Sequence, residues 1–305
     1  MAGIGSDHCL VAIMGPTASG KTSLAINLAK TLNTEIISVD SRQFYREMNV
    51  GTAKPSDVQL AEVRHHFINN LSIHDTYTAG HFARDASKVI HDLLNTKSTI
   101  VAVGGSTLYY KALLEGIDEF PHITNDAKAR VIEIENEGGL TSLQGALKEV
   151  DPAYYEKVDT ANPRRITRAL EVSYSGLHPY SYYLNRKQYV PDFKIIKVGM
   201  HIKTDLLYNQ IDIRCDEMIA SGLLEEVKQL YPFRHLKPLH TVGYTEFFDY
   251  LDDRYSLEEA ISRFKQHSRN YAKRQMTWLR KEKDLIWVDA NDALNELQKA
   301  GILYP

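Results

Sequence analysis

The octapeptide Gly15-Pro16-Thr17-Ala18-Ser19-Gly20-Lys21-Thr22 matches G-x-x-x-x-G-K-[ST] in full. Such a loop binds phosphate. Its glycines let backbone N–H groups turn inward around phosphate oxygens, and the helix that follows adds the positive partial charge of its N-terminus. In that chemistry Lys21 reaches the terminal phosphates and the Thr22 hydroxyl ligates Mg²⁺. The motif leaves the ligand open. ATP- and GTP-consuming enzymes commonly carry it, and they need an Asp at the end of a neighbouring apolar strand to hold the metal. Here the apolar run Thr99–Val103 ends in Gly104-Gly105-Ser106 instead. A second run ends in Asp40, with Ser41-Arg42-Gln43-Phe44-Tyr45 following at once. A carboxylate there serves as a base facing substrate, as a helix cap, or as a water-mediated contact to Mg²⁺.

Arg214 is the next residue that calls for an anion. The segment Asp205–Ser221 reads as a helix that starts near Thr204 and stops at Gly222. Leu207, Ile211 and Met218 make its apolar stripe, and Arg214 falls on the same stripe. An inward guanidinium is costly unless an anion neutralises it, and Arg suits bidentate contact with phosphate. A salt bridge to a core carboxylate, or a snorkelling side chain, satisfies the same pattern. Two basic clusters point to a larger polyanion. The helix beginning at Ser256 opens with Ser256-Leu257-Glu258-Glu259, a capping box, and places Leu257, Ile261, Phe264, Tyr271 and Trp278 on an apolar face. Arg269, Lys273 and Arg280 share another face, with Arg263, Arg274 and Lys281 in a second row. Residues 263–283 hold eight Lys or Arg against the single acid Glu282, in a chain of net charge −3. A charge run is usually a solvated face, but this contrast favours phosphate contacts. The second cluster is Arg164-Arg165-Ile166-Thr167-Arg168.

The elements that must position these residues alternate. Leu10–Met14, Glu35–Val39, Thr99–Val103, Ile195–Ile202 and Leu285–Val288 read as buried strands, and Leu24, Leu28 and Leu32 lie on one helix face. That alternation predicts an α/β fold with a P-loop parallel-sheet core. Residues 117–194 carry no convincing strand and several polar helical patterns, which predicts a mostly helical inserted domain between core segments 1–116 and 195–305. At 305 residues, 43% hydrophobic and 25% charged, the chain suits one large globular domain or two modest ones. The two cysteines, Cys9 and Cys215, are too far apart for a metal-type spacing and fit a reducing cytosol. No apolar run approaches the roughly 20 residues that cross a bilayer, and the N-terminus lacks the parts of a signal peptide. The expectation is a cytoplasmic monomer with no membrane partner.

The sequence resembles the bacterial tRNA dimethylallyltransferase (tRNA isopentenyltransferase) family nearly end to end. The resemblance is carried by Gly15–Thr22, by Asp40-Ser-Arg-Gln-Phe-Tyr-Arg-Glu-Met-Asn-Val-Gly-Thr-Ala-Lys-Pro55, by Gly104-Gly-Ser-Thr-Leu-Tyr109 and by Asn162-Pro-Arg-Arg-Ile-Thr-Arg-Ala-Leu-Glu-Val172. Val242-Gly-Tyr244 and Tyr271-Ala-Lys-Arg-Gln-Met-Thr-Trp-Leu-Arg280 complete it. The family transfers a dimethylallyl group from dimethylallyl diphosphate to N6 of adenine 37 in the anticodon loop of tRNA and releases pyrophosphate. The resemblance therefore implies that Gly15, Pro16, Thr17, Ala18, Ser19, Gly20, Lys21 and Thr22 hold pyrophosphate with Mg²⁺, the metal resting on Thr22. It implies that Asp40 takes a proton from the adenine amine and that Arg214 binds pyrophosphate. Contacts to the anticodon stem-loop are implied for Asp40, Ser41, Arg42, Gln43, Ser106, Lys128, Arg164, Arg165, Ile166, Thr167 and Arg168. The same holds for the stretches His240–Tyr244 and Ser268–Gln275, chiefly Gly243, Tyr244, Arg269, Lys273, Arg274 and Gln275.

The chain departs from the family pattern in places. Ser106 stands where Thr is usual and keeps the hydroxyl, and Lys128 stands near a usual Arg. Asn162-Pro163 replaces Asn-Asp and leaves any role of that Asp unfilled. His267-Ser268-Arg269-Asn270 replaces Ala-Thr-Arg-Gln. The sequence carries no zinc-finger pattern of the kind typical of eukaryotic relatives, and the resemblance therefore implies a bacterial-type member.

The implied chemistry matches the residue types. An exocyclic amine with a delocalised lone pair benefits from a carboxylate that accepts its proton. The departing pyrophosphate needs cations and loop amides, and the adenine must be unstacked to enter a channel between core and insertion. The rival readings are a small-molecule or nucleoside-monophosphate kinase, which needs a lid and a metal-binding Asp, and a non-catalytic RNA-binding protein gated by nucleotide, which has no use for Asp40 and Arg214.

Overall fold

Uninterrupted apolar runs become strands when both faces of a sheet are covered. In the computed structural model, which describes residues 8–184, 191–290, 292–299 and 301, they are β1 (Cys9–Met14), β2 (Ile36–Val39), β3 (His65–His66), β4 (Thr99–Gly104), β5 (Lys194–His201) and β6 (Leu285–Asp289). They form one sheet in the order β3-β2-β4-β1-β5-β6, parallel throughout. Helices α1 (Lys21–Thr31), α2 (Asp57–Glu62), α3 (Ala79–Leu94) and α4 (Thr107–Glu115) fall before the insertion. The insertion holds α5 (Asn125–Val150), α6 (Pro152–Tyr155), α7 (Pro163–Ser175) and α8 (Tyr180–Tyr183). Then come α9 (Thr204–Ala220), α10 (Leu223–Leu230), α11 (Thr245–Leu251), α12 (Leu257–Leu279) and, after β6, α13 (Ala293–Lys299). The expected α/β P-loop architecture is therefore present.

Alternate residues of β1 serve opposite layers, as the two-residue period of a strand requires. Val11 and Ile13 pack with Leu24 and Leu28 of α1 and Leu297 of α13. Leu10, Ala12 and Met14 face a larger cluster that includes Phe82 of α3, Leu207 of α9, Phe247 of α11 and Phe264 of α12. Because every strand runs the same way, Met14, Val39 and Gly104 end at one edge, and the loops after them carry the P-loop, Asp40 and Gly105-Ser106.

The chain divides into two units, Met1–Leu114 with Pro191–Pro305, and Glu115–Val190. The expected insertion limit of 117–194 ends four residues late, because Lys194 already pairs with Cys9 in β5 and its N–H donates to His8 O at 2.9 Å. The insertion has its own core of Val131, Leu143 and Leu147 from α5 against Ile166, Ala169 and Leu170 from α7. Buried Asp151 ties it together by accepting from Tyr154 N–H (3.0 Å), Ser181 N–H (2.6 Å) and the Ser181 hydroxyl (2.7 Å). Helix α5 breaks at Gly138-Gly139, where Gly139 takes φ +61.

Several local expectations change. The short edge strand β3 has no periodic signal to announce it. At α12, Ser256 accepts from Glu259 N–H, but the Glu259 carboxylate binds Arg263 instead of closing a capping box. The buried positions of α12 are Ala260, Phe264, Ser268, Ala272, Gln275 and Leu279. Tyr271 and Trp278, expected on that face, are not among them. On α9 the buried stripe is Leu207, Ile211 and Cys215, with Met218 at its margin.

Gly104 pairs with both Val39 and Met14, and a Cβ there would stand 2.0 Å from the Val39 carbonyl oxygen. Gly104→Ala must push β2 and β4 apart, a strain of at least about 1–3 kcal/mol. Urea unfolding should read that loss directly. An unchanged midpoint would mean that the two strands yield freely.

Candidate active site

The P-loop leaves β1 at Gly15. A Cβ on Gly15 would meet Ser19 Oγ at 2.6 Å and Met200 at 2.9 Å, so a larger residue there would have to displace both side chains. Ala18 (φ +61) and Gly20 (φ +79) are left-handed and turn the chain into α1, which starts at Lys21 with no side-chain cap. The first amides of α1 are thus left for an anion. Ser19 Oγ is buried with no hydrogen-bond partner in the protein. Lys21 Nζ donates to Pro16 O (2.9 Å). Burial first, and then the Arg214 guanidinium, push Lys21 down to about 8, against the opposing pull of Asp40. The cradle is built around positive charge that an anion completes.

Gln275 of α12 braces this loop from behind. Its Oε1 accepts from Thr17 N–H (3.0 Å) and its Nε2 donates to Gly105 O (2.8 Å), joining the loops that follow β1 and β4. Asp40 directly follows β2 and accepts from Arg42 N–H at Oδ1 (2.9 Å). Ser106 is buried and ties the same turn, accepting from Ser41 N–H (2.9 Å). Arg214 of α9 points inward, as its place on the apolar stripe predicts, and its Nη2 donates to Ala53 O (3.3 Å). Burial lowers its affinity for a proton, and Asp40 is the foremost charge that opposes this.

Lys21, Thr22, Asp40, Arg42 and Arg214 line one cavity of about 230 Å³. Apolar Ile211, Met218, Val242 and Phe264 line it as well. Tyr271 also lines it, with its phenol pushed up to about 12 by burial and then by the charge of Asp40, so it stays an O–H donor. A second, open cleft on the outer side of the P-loop shares Lys21, Thr22, Ala53 and Arg214 with the cavity. A diphosphate held there would have a hydrocarbon-compatible space on one side and open access on the other.

Residues 43–282 match the model of the IPP transferase family, and the match begins just past Asp40. The chain is 44% identical over 283 residues to the tRNA dimethylallyltransferase of Christiangramia forsetii, covering 93% of this chain and 94% of that one. It belongs to the IPP transferase family. The full-length tRNA isopentenylpyrophosphate transferase of Bacillus halodurans is similar in structure, with a TM-score of 0.70 at 33% identity over 97% of this chain and 96% of that one. A eukaryotic dimethylallyltransferase captured acting on tRNA gives a TM-score of 0.80 at 26% identity, covering 96% of this chain and 77% of that one.

Within the family scaffold, the structure brings Gly15–Thr22, Asp40–Gln43 and Arg214 to one place in unit one. Gln275 is there too, but it is buried and its amide is spent inside the protein, so the expected RNA contact becomes a brace on the P-loop. Gly243 and Tyr244 are likewise interior. Gly243 donates to Glu246, and Tyr244 has no exposed surface and gives its hydroxyl to Glu226. Ile166 is fully buried in the insertion core, which corrects its assignment to the RNA surface. Its neighbours Arg164, Arg165 and Arg168 are exposed, as is Lys128, while Thr167 is half-buried. On α12, Arg269 pairs with Asp212, Lys265 with Asp216 and Arg263 with Glu259, which removes part of the expected positive surface. Lys273 and Arg274 are exposed, with Arg274 over the Tyr271 ring. Tyr271, core by periodicity and within the Ser268–Gln275 stretch for which the resemblance implied tRNA contact, lines the cavity, as does His65, whose buried Nε2 has no partner and which the sequence did not single out. For His65 no motif signals the role, because the strand that carries it is two residues long.

Gln275→Ala leaves the Thr17 amide without its acceptor and Gly105 O without its donor. Pyrophosphate affinity, measured by calorimetry, should fall about tenfold, and unfolding stability by about 1–3 kcal/mol. Unchanged affinity with lowered stability would reduce Gln275 to a packing residue.

Proposed function

We propose that the chain transfers the dimethylallyl group of dimethylallyl diphosphate to N6 of adenine 37 in the anticodon loop of tRNA, releasing pyrophosphate. The observation that carries this reading is one cavity lined by Asp40, Lys21, Thr22 and Arg214 together with apolar Ile211, Met218, Val242 and Phe264. A diphosphate fits its cations, and a branched hydrocarbon fits its apolar residues. The family named above points to the same transfer.

In the proposed step the adenine amine attacks the allylic carbon, and the bond from that carbon to the diphosphate oxygen breaks. Asp40 accepts the proton the amine loses, a general-base contribution of ~10²–10⁴-fold. Lys21, the P-loop amides and Arg214 meet the charge that gathers on the departing pyrophosphate. Among the described residues no group of three His, Cys, Asp or Glu is placed to hold a metal. A metal here would draw its ligands from the Thr22 hydroxyl and from substrate phosphates, a set of hard oxygens that suits Mg²⁺. Mg²⁺ bound in that way would neutralise the diphosphate and ease its departure.

The exposed Arg164, Arg165, Arg168 and Lys128 of the insertion, and Lys273 and Arg274 of α12, supply the phosphate contacts of the anticodon stem-loop. Among the described residues no helix is long and apolar enough to cross a membrane, and the proposed setting is the cytoplasm, with a monomer as the working unit.

Asp40→Asn keeps the shape and removes the proton acceptor. Single-turnover transfer should slow by ~10²–10⁴-fold with both substrates bound as before. If Asp40 instead holds the metal, added Mg²⁺ restores the rate, and a near-normal rate removes Asp40 from the mechanism. Lys273→Ala and Arg274→Ala should each flatten the salt dependence of tRNA binding by about one counterion. Filter binding across a salt series reads this, and unmoved slopes would leave α12 a solvated face.

A further inference from the structure

Glu226 lies in the first turn of α10, outside every motif above, yet both of its carboxylate oxygens are occupied by hydrogen bonds. Oε2 accepts from the N–H groups of Asn49 (3.0 Å) and Val50 (2.8 Å). Oε1 accepts from Gly51 N–H (3.0 Å) and the Tyr244 hydroxyl (2.6 Å). Three consecutive amides at the start of the 3₁₀ turn Val50–Thr52 therefore close on one carboxylate. This is an anion capping a turn whose own residues offer no side-chain cap.

The segment it holds ends at the cavity. Gly51 lies flat on Tyr244, where a Cβ would stand 2.5 Å from the ring. Ala53 is left-handed at φ +45, and its carbonyl accepts from Arg214 Nη2 (3.3 Å) and Gln43 Nε2 (3.4 Å). Lys54 then anchors the far side, donating to Tyr45 O, Asn49 Oδ1 and Asn69 Oδ1. The Ala53 carbonyl can aim the guanidinium only while the turn that carries it stays in place.

We infer that Glu226 is a positioning residue for pyrophosphate, acting through the Asn49–Ala53 turn and the Ala53 carbonyl on Arg214. The inference rests on the reading of the P-loop cavity as a pyrophosphate site. A carboxylate that only stabilised the fold would lower the melting temperature without singling out one ligand or one partner residue. Action through Arg214 makes the two residues interdependent, because the guanidinium that Glu226 aims is the one Arg214→Ala removes.

The test is calorimetric titration of inorganic pyrophosphate with Mg²⁺ into wild type, Glu226→Gln, Arg214→Ala and the double variant, with Glu225→Gln as a charge-matched control. Glu226→Gln should bind about tenfold more weakly, while Glu225→Gln stays within about twofold of wild type. The double variant should bind within about twofold of Arg214→Ala alone. Losses that multiply in the double variant, or wild-type affinity in Glu226→Gln, would overturn the inference and leave the cradle reading standing. A wild-type protein that does not bind pyrophosphate would overturn the cradle reading and the inference with it. If Glu226→Gln does not fold, Glu226→Asp retains the charge on a shorter arm and takes its place in the same cycle, where the same weakening supports the inference and the same multiplied losses or wild-type affinity overturn it.

Discussion

Two cations turned toward one cavity set the terms for the rest of this molecule. Lys21 sits where burial and the Arg214 guanidinium push it down to about 8, with Asp40 as the opposing charge. Such an arrangement is unfavourable in the empty protein and becomes favourable when an anion enters. It has to be held by the scaffold, and the surrounding hydrogen bonds do that. The Pro16 carbonyl holds Lys21, the Ala53 carbonyl holds Arg214, and the Arg42 amide turns Asp40. Fixed dipoles and cations are thereby held in place before any charged group enters.

The parallel sheet is what makes this convergence possible. With β1, β2 and β4 running the same way, the loops after them meet at one edge. Helix α1 leaves β1 toward one layer, while the larger cluster with α9, α11 and α12 fills the other. Ligands in open α/β sheets bind at such points, beyond the carboxyl ends of the strands. Close approach is the cost of the arrangement, as at Gly104, where the Val39 carbonyl leaves no room for a side chain.

Binding a polyanion with a net-acidic chain demands local charge. The exposed arginines of α7 and the outer residues of α12 are the basic groups available for it under the proposed function, but acids of α9 neutralise two of the basic residues of α12. Exposed ion pairs of this kind contribute little to stability. Their larger effect is to confine the positive surface to fewer residues than the helix carries.

The sequence by itself determined the glycine-bounded loop after β1, the inward arginine and the alternation of strands and helices. Each depends on contacts a few residues long: glycines that allow a turn, a seven-residue spacing along α9, or an apolar run that forms a buried strand. What the tertiary structure decided lies between segments far apart in the chain. Gln275 and Tyr244 look like surface residues of RNA-binding motifs, yet Gln275 braces the loop at Thr17, 258 positions away, and Tyr244 is sealed against Glu226. Tyr271 reads as core by periodicity but turns to the cavity, because Ala272 and Gln275 occupy the buried stripe of α12. Glu226 carries no local signal at all, since its four donors come from Asn49–Gly51 and from Tyr244. A periodic pattern states which face of an element is apolar. Which polar groups that face meets depends on the packing of elements brought together only by folding.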